Sequence, residues 1–380
     1  GKLMKASNIA LLTAVALGFS ASALADEYST ERHTVEMTTL TENLSHPWGM
    51  TFLPDGSLLV TERDGILNHI SADGSERKEI KGTPEVVARS QGGLLDVNID
   101  PNFEDNGWVY ISYSEPDPEG GDGNSTAVTR GKIDGGQWID GEVVFRQAPK
   151  YESGAHFGSR LIFSPEGHLF ITLGDRYSRM EDAQTLDNHH GKIVRIWPDG
   201  SIPEDNPFVN DDKALDEIWS YGHRNVQGAD IHPETGELWT IEHGPQGGDE
   251  VNIPEAGKNY GWPTVTYGED YGGGEIGIGT HKEGMEQPFY YWLPSIATAG
   301  SIFYTGEPFK HWQGDLLVTA LRGQMISRLD LQDGRMIHEE RLFDGDIDFR
   351  IRDIEQGPDG MLYILTDEDN GRLVKLTPAD

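Results

Sequence analysis

The sequence predicts an all-β protein, a six-bladed β-propeller, on the strength of three observations. One phrase, a run of turn residues followed by an alternating apolar strand, occurs six times along the chain. Its copies recur at irregular intervals of 45 to 80 residues, which leaves room for four short strands and a variable loop in each unit. No amphipathic helix of convincing length follows the N-terminal apolar run. The copies are residues 54–61, 101–112, 165–172, 233–240, 313–319 and 358–365.

The N-terminal segment has the pattern of a secretory signal peptide. Lys2 and Lys5 precede an apolar run over residues 9–19, and Ala23 and Ala25 form an A-x-A cleavage site before acidic residues. A membrane anchor is the alternative, but a spanning helix needs about 20 apolar residues. We therefore expect a signal peptide over residues 1–25, a single propeller domain over residues 26–380, and a periplasmic or secreted location.

Charge and composition limit the partners of the protein. Acidic residues outnumber basic ones 64 to 30, giving a net charge of -34, and there is no cysteine. Such a charge repels nucleic acid and anionic lipid, so we expect neither nucleic acid binding nor membrane insertion. Thiol redox chemistry is excluded, and stability must come from a large core instead of disulfides. The expected ligands are neutral molecules, cations, or anions held by a local cluster of arginines.

The segments between the predicted strands contain hairpin signals and two longer loops. Asp-Gly pairs favour tight hairpins because both residues tolerate positive φ. Residues 115–125 and the Gly-rich residues 267–285 read as long loops, which often carry function in propellers. The Asp-Gly pairs begin at Asp64, Asp73, Asp199 and Asp333.

One segment is dense in residues suited to acid-base chemistry. His156 lies between glycines, and Asp175 follows the next predicted strand. A strand, a Pro-Glu-Gly turn and a return strand would bring the two side chains together, so that the carboxylate could orient the imidazole as a general base. The alternative is that His156, one of 13 histidines, makes only structural hydrogen bonds at the end of a strand.

A second group of residues is basic. Arg224 and Asn225 precede one predicted strand, Arg322 follows the fifth repeat, and Arg350 and Arg352 precede the sixth. Two arginines two positions apart in a strand project from one face and could bind a carboxylate-rich ligand. Surface ion pairs of Arg350 and Arg352 with Asp348 or Asp353 explain the spacing equally well.

A third group combines turns with carboxylates. Residues 242–250 hold Glu-His-Gly-Pro and Asp-Glu, and Asn-Tyr-Gly-Trp follows at residues 259–262. Exposed backbone carbonyls and a carboxylate are hard oxygen donors of the kind that calcium prefers. Turn formation alone also accounts for the glycines, and the spacing is not that of an EF-hand loop.

Together these segments resemble the soluble aldose sugar dehydrogenases that use pyrroloquinoline quinone (PQQ), relatives of soluble quinoprotein glucose dehydrogenase. The resemblance runs from about residue 46 to the C-terminus, and the family is a six-bladed propeller with the quinone over its axis. Several specific phrases occur in the family's order. They are Gly-Ala-His-Phe-Gly-Ser-Arg at 154–160, His-Arg-Asn at 223–225, Glu-His-Gly-Pro at 242–245, Gly-Asp-Glu-Val-Asn at 248–252, Asn-Tyr-Gly-Trp at 259–262 and Arg-Ile-Arg-Asp at 350–353.

The resemblance implies a role for each candidate residue. His156 would be the catalytic base and Asp175 its helper. Gly244 and Pro245 would offer carbonyls to the calcium ion on the cofactor, while Glu250 and Tyr260 match a second calcium site of the family. Arg322 stands where some relatives have Lys, which keeps the charge but changes the geometry of the contact. The residues implied around the quinone are Gln91, Arg224, Asn225, Tyr271, Arg322, Arg350 and Arg352.

The implied reaction is oxidation of the anomeric C1 hydroxyl of an aldose to a lactone, with hydride transfer to PQQ. Electrons would then pass to an external acceptor, a cytochrome, a quinone or a dye. Two alternatives remain at this point: a calcium-dependent propeller lactonase, and a propeller that binds ligands without catalysis. A lactonase would need a cage of carboxylate and amide side chains around calcium and has no use for four converging arginines.

Overall fold

The computed structural model describes residues 25–271, 274 and 276–380 and confirms the predicted β-propeller. Six antiparallel sheets stand around one axis, five with four strands and one with five. Residues 1–24 of the predicted signal peptide lie outside the described residues. Its last residue, Ala25, begins the first strand. In the described part of the chain, no helix is long and apolar enough to cross a membrane.

The first three blades follow one another along the chain, each built from four consecutive strands. Blade 1 contains β3 (Pro47–Phe52), β4 (Leu58–Glu62), β5 (Ile66–Ile70) and β6 (Arg77–Ile80). Blade 2 contains β7 (Leu94–Ile99), β8 (Val109–Pro116), β9 (Asn124–Asp134) and β10 (Gln137–Arg146). Blade 3 contains β11 (Leu161–Phe163), β12 (Leu169–Thr172), β13 (Lys192–Ile196) and β14 (Ile218–Tyr221).

The remaining blades complete the ring. Blade 4 contains β15 (Val226–Ile231), β16 (Leu238–Glu242), β17 (Asp249–Asn252) and β18 (Tyr290–Trp292). Blade 5 contains β19 (Thr298–Phe303), β20 (Leu316–Ala320), β21 (Met325–Gln332) and β22 (Arg335–Leu342). Blade 6 contains β23 (Ile351–Gln356), β24 (Leu362–Thr366), β25 (Gly371–Pro378), β2 (Thr34–Leu44) and β1 (Ala25–Ser29). The helical pieces are short: α1 (Phe103–Asn106) and the 3-10 turns Met180–Gln184 and Lys310–Trp312.

The repeated phrase of the sequence forms the second strand of every blade. These six strands are β4, β8, β12, β16, β20 and β24. Five of them, β4, β12, β16, β20 and β24, are buried along their whole length because each sheet is covered on both faces by neighbouring blades. Their continuous apolar runs therefore mark the cores between blades.

The ring is closed by strands from both ends of the chain. β2 pairs antiparallel with β25, from Val35 opposite Pro378 to Leu44 opposite Gly371. Blade 6 therefore combines the first described strands with the last three. A sheet completed in this way leaves no open gap between the first and the last blade.

The innermost strands contact one another in a ring around the axis and are tied together by buried aspartates. Asp96 on β7 accepts the N–H of Leu161 on β11 at 2.9 Å. Asp230 on β15 accepts the N–H of Phe303 on β19 at 2.8 Å. These carboxylates satisfy backbone donors that would otherwise be unpaired at the splayed inner edges of the blades.

Two details of the loop prediction are wrong, and one hairpin prediction is confirmed. Strands β8 and β9 stay paired out to Pro116 and Asn124, so the loop predicted over residues 115–125 is shorter. Asp199 belongs to a turn after β13 instead of a tight hairpin, since β14 begins only at Ile218. Asp333 and Gly334 do join β21 and β22 with φ of 52° and 74°, as a two-residue hairpin requires.

Candidate active site

The predicted site residues collect at one end of the propeller. In antiparallel blades, the starts of the innermost strands and the ends of the second strands lie at the same end. Gln91, His156 and Arg224 precede the first strands of blades 2, 3 and 4. The residues that follow the second strands of blades 3, 4 and 5 are Asp175, Gly244 with Pro245, and Arg322. Arg350 and Arg352 flank the first residue of β23.

His156 and Asp175 form the buried pair that the strand-turn-strand pattern predicts. The Nδ1–H of His156 donates to Oδ1 of Asp175 at 2.6 Å. His156 has a φ of 53°, in the left-handed region that residues other than glycine seldom adopt. Gly174 lies so close to this segment that a Cβ there would clash with the carbonyl oxygen of His156. The pair therefore depends on a strained backbone and on a glycine beside it.

Asp175 is held by donors from three directions. Besides His156, the indole Nε1–H of Trp262 donates to Oδ2 at 2.8 Å, and the backbone N–H of Tyr177 donates to Oδ1 at 2.8 Å. An ionised carboxylate can only accept hydrogen bonds, and three donors at its two oxygens fix its plane. Asp175 can thus orient the imidazole and stabilise a positive charge on it.

The surroundings of His156 favour a neutral imidazole. Burial lowers the pKa of His156, and the positive charge of Arg224 lowers it further, while the charge of Asp175 opposes both. Asp175 engages Nδ1, so Nε2 is the ring nitrogen left to accept a proton. A neutral, oriented imidazole with one engaged nitrogen has the properties of a general base.

Arg224 and Asn225 lie between His156 and the turn after β16. The Nη1 of Arg224 donates to the carbonyls of His243 and Gly244 at 3.0 and 2.9 Å. Asn225 accepts the N–H of Gly158 through Oδ1, and its buried Nδ2 has no partner among the described residues. Arg224 thus fixes the turn that holds the predicted metal ligands Gly244 and Pro245. Asn225 has an amide N–H donor that no described residue accepts.

Arg350 and Arg352 pair with a carboxylate other than those the sequence suggested. Neither bonds to Asp348 or Asp353; both face Asp367, which follows β24. The Nη2 of Arg352 lies 2.8 Å from Oδ2 of Asp367, and its Nη1 donates to Gln227. Arg352 is buried, so the surface ion pair offered as an alternative is wrong for this residue, whereas Arg350 is half exposed.

These basic residues act together on one half-buried histidine, His243. Burial holds the pKa of His243 well below its usual range, and the positive charges of Arg224, Arg352 and Arg350 lower it further, as does His156. The Nε of Arg352 is also buried without a partner among the described residues. In a chain of net charge -34, this end of the axis is therefore a local concentration of positive charge.

Three predicted residues lie at the margin of this centre. Gln91 is exposed but accepts the backbone N–H of His156 at 2.9 Å. Arg322 is exposed and lines a separate pocket of about 590 Å³ with Gln246. Tyr271 is 57 % exposed in the long loop after β17, beside residues outside the described ones, and its contact with a cofactor stays a prediction.

Of the predicted metal ligands, Glu250 belongs to a buried pair of acids, and the hydroxyl of Tyr260 is hydrogen-bonded to the backbone. Glu250 on β17 lies directly opposite Glu242 on β16. Burial raises the pKa of Glu242 to about 8, and burial with the charge of Glu242 raises that of Glu250 well above its usual range. The Tyr260 hydroxyl donates to Ile253 and accepts from the N–H of Glu255.

Side chains alone do not build a metal site in the described ranges. No three His, Cys, Asp or Glu residues there lie close enough together to hold an ion. The predicted calcium ligands would have to include backbone oxygens, as the sequence analysis supposed for Gly244 and Pro245. The carbonyl of Gly244 accepts from Arg224 and keeps a second lone pair.

Several residues of the site were not singled out from the sequence. Trp262 lies in the quoted phrase at residues 259–262, yet no pattern assigns its indole to Asp175. Gln227 reaches Arg352 from another blade, so this contact depends on the closing of the ring. Asp367 and His243 lie in the same blades as their partners Arg352 and Arg224. A histidine directly after Glu242 was the one sequence signal that could have drawn attention to His243.

Known proteins match the chain over most of its length. The sequence model of a family described as glucose / sorbosone dehydrogenase matches residues 44–375. The aldose sugar dehydrogenase YliI of Escherichia coli strain K12 is 43 % identical over 350 residues, which cover 91 % of this chain and 94 % of that protein.

Solved structures agree in fold with this architecture. The apo form of the soluble aldose sugar dehydrogenase of Escherichia coli superposes with a TM-score of 0.87 at 42 % identity, covering 90 % of this chain and 99 % of that one. The PQQ-bound aldose sugar dehydrogenase of Streptomyces coelicolor gives a TM-score of 0.74 at 26 % identity, covering 90 % and 98 %.

Proposed function

The chain belongs to the glucose / sorbosone dehydrogenase family, and on that premise we propose that it oxidises the anomeric C1 hydroxyl of aldose sugars to lactones with PQQ as cofactor. The observation that carries the proposal is the buried His156–Asp175 pair beside three converging arginines. Relatives named as aldose sugar dehydrogenases, one of them described as PQQ-bound, support the same reading.

The residues present fit PQQ. The quinone carries three carboxylates, and the converging arginines supply the charge-assisted, bidentate donors that such an anion requires. Two buried donors without a described partner, Nδ2 of Asn225 and Nε of Arg352, are further groups that a polar ligand would satisfy. Gln91, Arg224, Asn225, Arg350 and Arg352 would hold the cofactor, with Arg322 and Tyr271 at its margin. When bound, PQQ supplies the two-electron acceptor for the hydride of C1.

The protein's own chemistry centres on one proton. The Nε2 of His156 would accept the proton of the C1 hydroxyl, because Nδ1 is committed to Asp175. As positive charge develops on the ring, the carboxylate of Asp175 stabilises it without taking the proton. The surrounding burial keeps the imidazole neutral between turnovers, so it is ready to accept again.

Calcium fits the turn after β16. The carbonyls of Gly244 and Pro245 would bind one ion, and the buried carboxylate of Glu250 with an oxygen of Tyr260 a second. A cation near Glu242 and Glu250 would remove the cost of keeping two buried acids together. Calcium would withdraw electrons from a bound carbonyl as a Lewis acid.

The partners and the compartment follow from the same proposal. The substrate is a small aldose, and the reduced cofactor would pass its electrons to an external acceptor. The signal-peptide pattern of residues 1–25 supports export to a periplasm-like compartment. The converging arginines favour this proposal over a propeller lactonase, which would have no use for them.

Reconstitution tests the proposal. The purified protein is treated with a chelator, supplied with PQQ and calcium separately and together, and assayed by aldose-dependent dye reduction. We expect activity only with both, and product analysis should identify a lactone. An ester or lactone substrate should be left unchanged. If PQQ binds but no aldose reduces the dye, the proposed activity is wrong.

A further inference from the structure

Trp262 touches both parts of the proposed active site. Its Nε1–H donates to Oδ2 of Asp175 at 2.8 Å, on the side of the carboxylate opposite His156. The guanidinium carbon of Arg224 lies 5.4 Å from the centre of its ring, within the range of a cation–π contact. One rigid side chain thus links the base pair to an arginine of the positive cluster.

The backbone around Trp262 is fixed in the way that such a role requires. Its N–H donates to the carbonyl of Gly222 at 2.9 Å, and its carbonyl accepts from Nε2 of Gln184 at 2.7 Å. The side chain is 6 % exposed. Trp262 belongs to the loop after β17 of blade 4, whereas Asp175 follows β12 of blade 3. The hydrogen bond between them therefore joins two neighbouring blades.

We propose that Trp262 is a positioning residue, which holds Asp175 and, through it, His156 in the orientation needed to accept the substrate proton. The inference rests on the proposed function, but its physical content is the contact itself. An indole N–H has a single direction of donation, so it fixes the plane of the carboxylate. It also takes up part of the negative charge that would otherwise act on the imidazole.

The test replaces the donor and keeps the ring. Trp262→Phe retains an aromatic face for Arg224 but removes the N–H. The matched control is Trp219→Phe, which removes the hydrogen bond from another indole, that of Trp219 to the carbonyl of Pro254, away from Asp175. The pKa of His156 is measured in the PQQ-free protein by NMR of ¹⁵N-labelled histidine, with the signal assigned by its loss in His156→Ala.

In Trp262→Phe we expect the pKa of His156 to rise by about half a unit to one unit, the equivalent of one net hydrogen bond. The acid limb of the pH profile of kcat/KM should move in the same direction, kcat should fall, and PQQ affinity should be kept. Trp219→Phe should change none of these. An unchanged pKa and pH profile in Trp262→Phe would overturn the proposal.

A measurement on the wild-type protein covers the case in which Trp262→Phe does not fold. The indole N–H resonance of Trp262 should shift with the same midpoint as the His156 ring, because both donate to Asp175; an indole that ignores this titration overturns the proposal. The two failures are distinguishable. Coupled titration in a protein that oxidises no aldose refutes the proposed function and leaves the positioning contact standing.

Discussion

At the scale of single residues, His156 and Asp175 make unequal contributions to one proton transfer. His156 would touch the substrate, whereas Asp175 acts through His156 and is itself held by Trp262. We predict that His156→Ala lowers kcat by roughly 10²–10⁴-fold, the usual contribution of a positioned general base, and leaves PQQ binding largely intact. Asp175→Asn should cost less. Turnover near the wild-type rate in His156→Ala would exclude it as the base, and a larger loss in Asp175→Asn would reverse the roles.

The two arginines at β23 should behave differently. Arg350 is half exposed, while Arg352 is buried and bonded to Gln227 and Asp367. Arg350→Ala should weaken PQQ binding by about tenfold or more, because each charge-assisted hydrogen bond contributes on the order of 1.5–3 kcal/mol, and should leave the melting temperature unchanged.

Arg352→Ala should weaken PQQ binding and also lower the melting temperature, since it removes the guanidinium that lies 2.8 Å from the buried carboxylate of Asp367. PQQ titration of each apo variant at saturating calcium, followed by thermal melting, separates these effects. Equal melting temperatures for both variants would contradict the structural role assigned to Arg352.

The sequence predicted the His156–Asp175 contact because both residues belong to one blade, where a strand and its return bring close positions of the chain together. It could not predict Gln227 or Trp262, because each reaches its partner from another blade. Contacts between blades depend on how the ring closes, and no local period encodes that. Asp367 lies in the same blade as Arg350 and Arg352, where β23 and its return strand β24 bring the three side chains together, so the signal for this contact was present in the sequence.

At the scale of structural elements, the site depends on the close approach of two loops of blade 3. The segment before β11 carries His156, and the segment after β12 carries Gly174 and Asp175. A side chain at Gly174 has no room, because its Cβ would meet the carbonyl of His156. The repeated second strands were predictable from the sequence, but this packing of one loop on another was not.

We predict that Gly174→Ala separates the two loops and lowers kcat more than it lowers stability. The blade itself is held by β12 and β13, which the substitution does not touch. The control is Gly167→Ala, in the turn at the other end of the same hairpin, where the added Cβ meets nothing and the only cost is the strain of a positive φ, which Gly174 does not have. Activity and melting temperature are measured for both. Wild-type kcat in Gly174→Ala would show that the approach of the loops is not needed.

At the scale of the whole molecule, the axis contains a second group of acids that the proposed reaction does not use. A cavity of about 170 Å³ between the innermost strands is lined by Asp96, Asp230, Asp353 and Glu355 together with Arg160. Burial raises the pKa of Asp230 to about 6 and of Asp353 to about 7, and that of Glu355 well above its usual range. One guanidinium does not balance four carboxylates, so the native state holds protons there.

The sign of the resulting pH dependence follows from these shifts. An acid whose pKa is higher in the folded than in the unfolded state keeps a proton that the unfolded chain has released. Stability is therefore highest below the unfolded pKa and is lost as the pH rises through the folded pKa, here from about 4 to above 7. These acids therefore contribute more to stability at pH 5 than at pH 8, whereas His156 and His243, whose pKa values are lowered, act in the opposite direction.

Glu355→Gln should remove part of this loss, because an amide in the cavity has no charge to bury. The variant should melt higher than the wild type at pH 8 and not at pH 5. The control is Glu307→Gln, which removes one negative charge from the exposed surface and so measures the effect of net charge alone. Parallel melting curves for Glu355→Gln and Glu307→Gln across this pH range would contradict the assignment.

The pairing of β2 with β25 also decides when the molecule can finish folding. A chain that emerges from a ribosome or crosses a membrane N-terminus first delivers β2 at the beginning and β25 at the end. The early strand has no native neighbour on that side until the late one arrives, and contacts of such long sequence separation form slowly. Until then β2 is an exposed edge strand, of the kind that chaperones protect from aggregation. The ring therefore closes as the last step of folding.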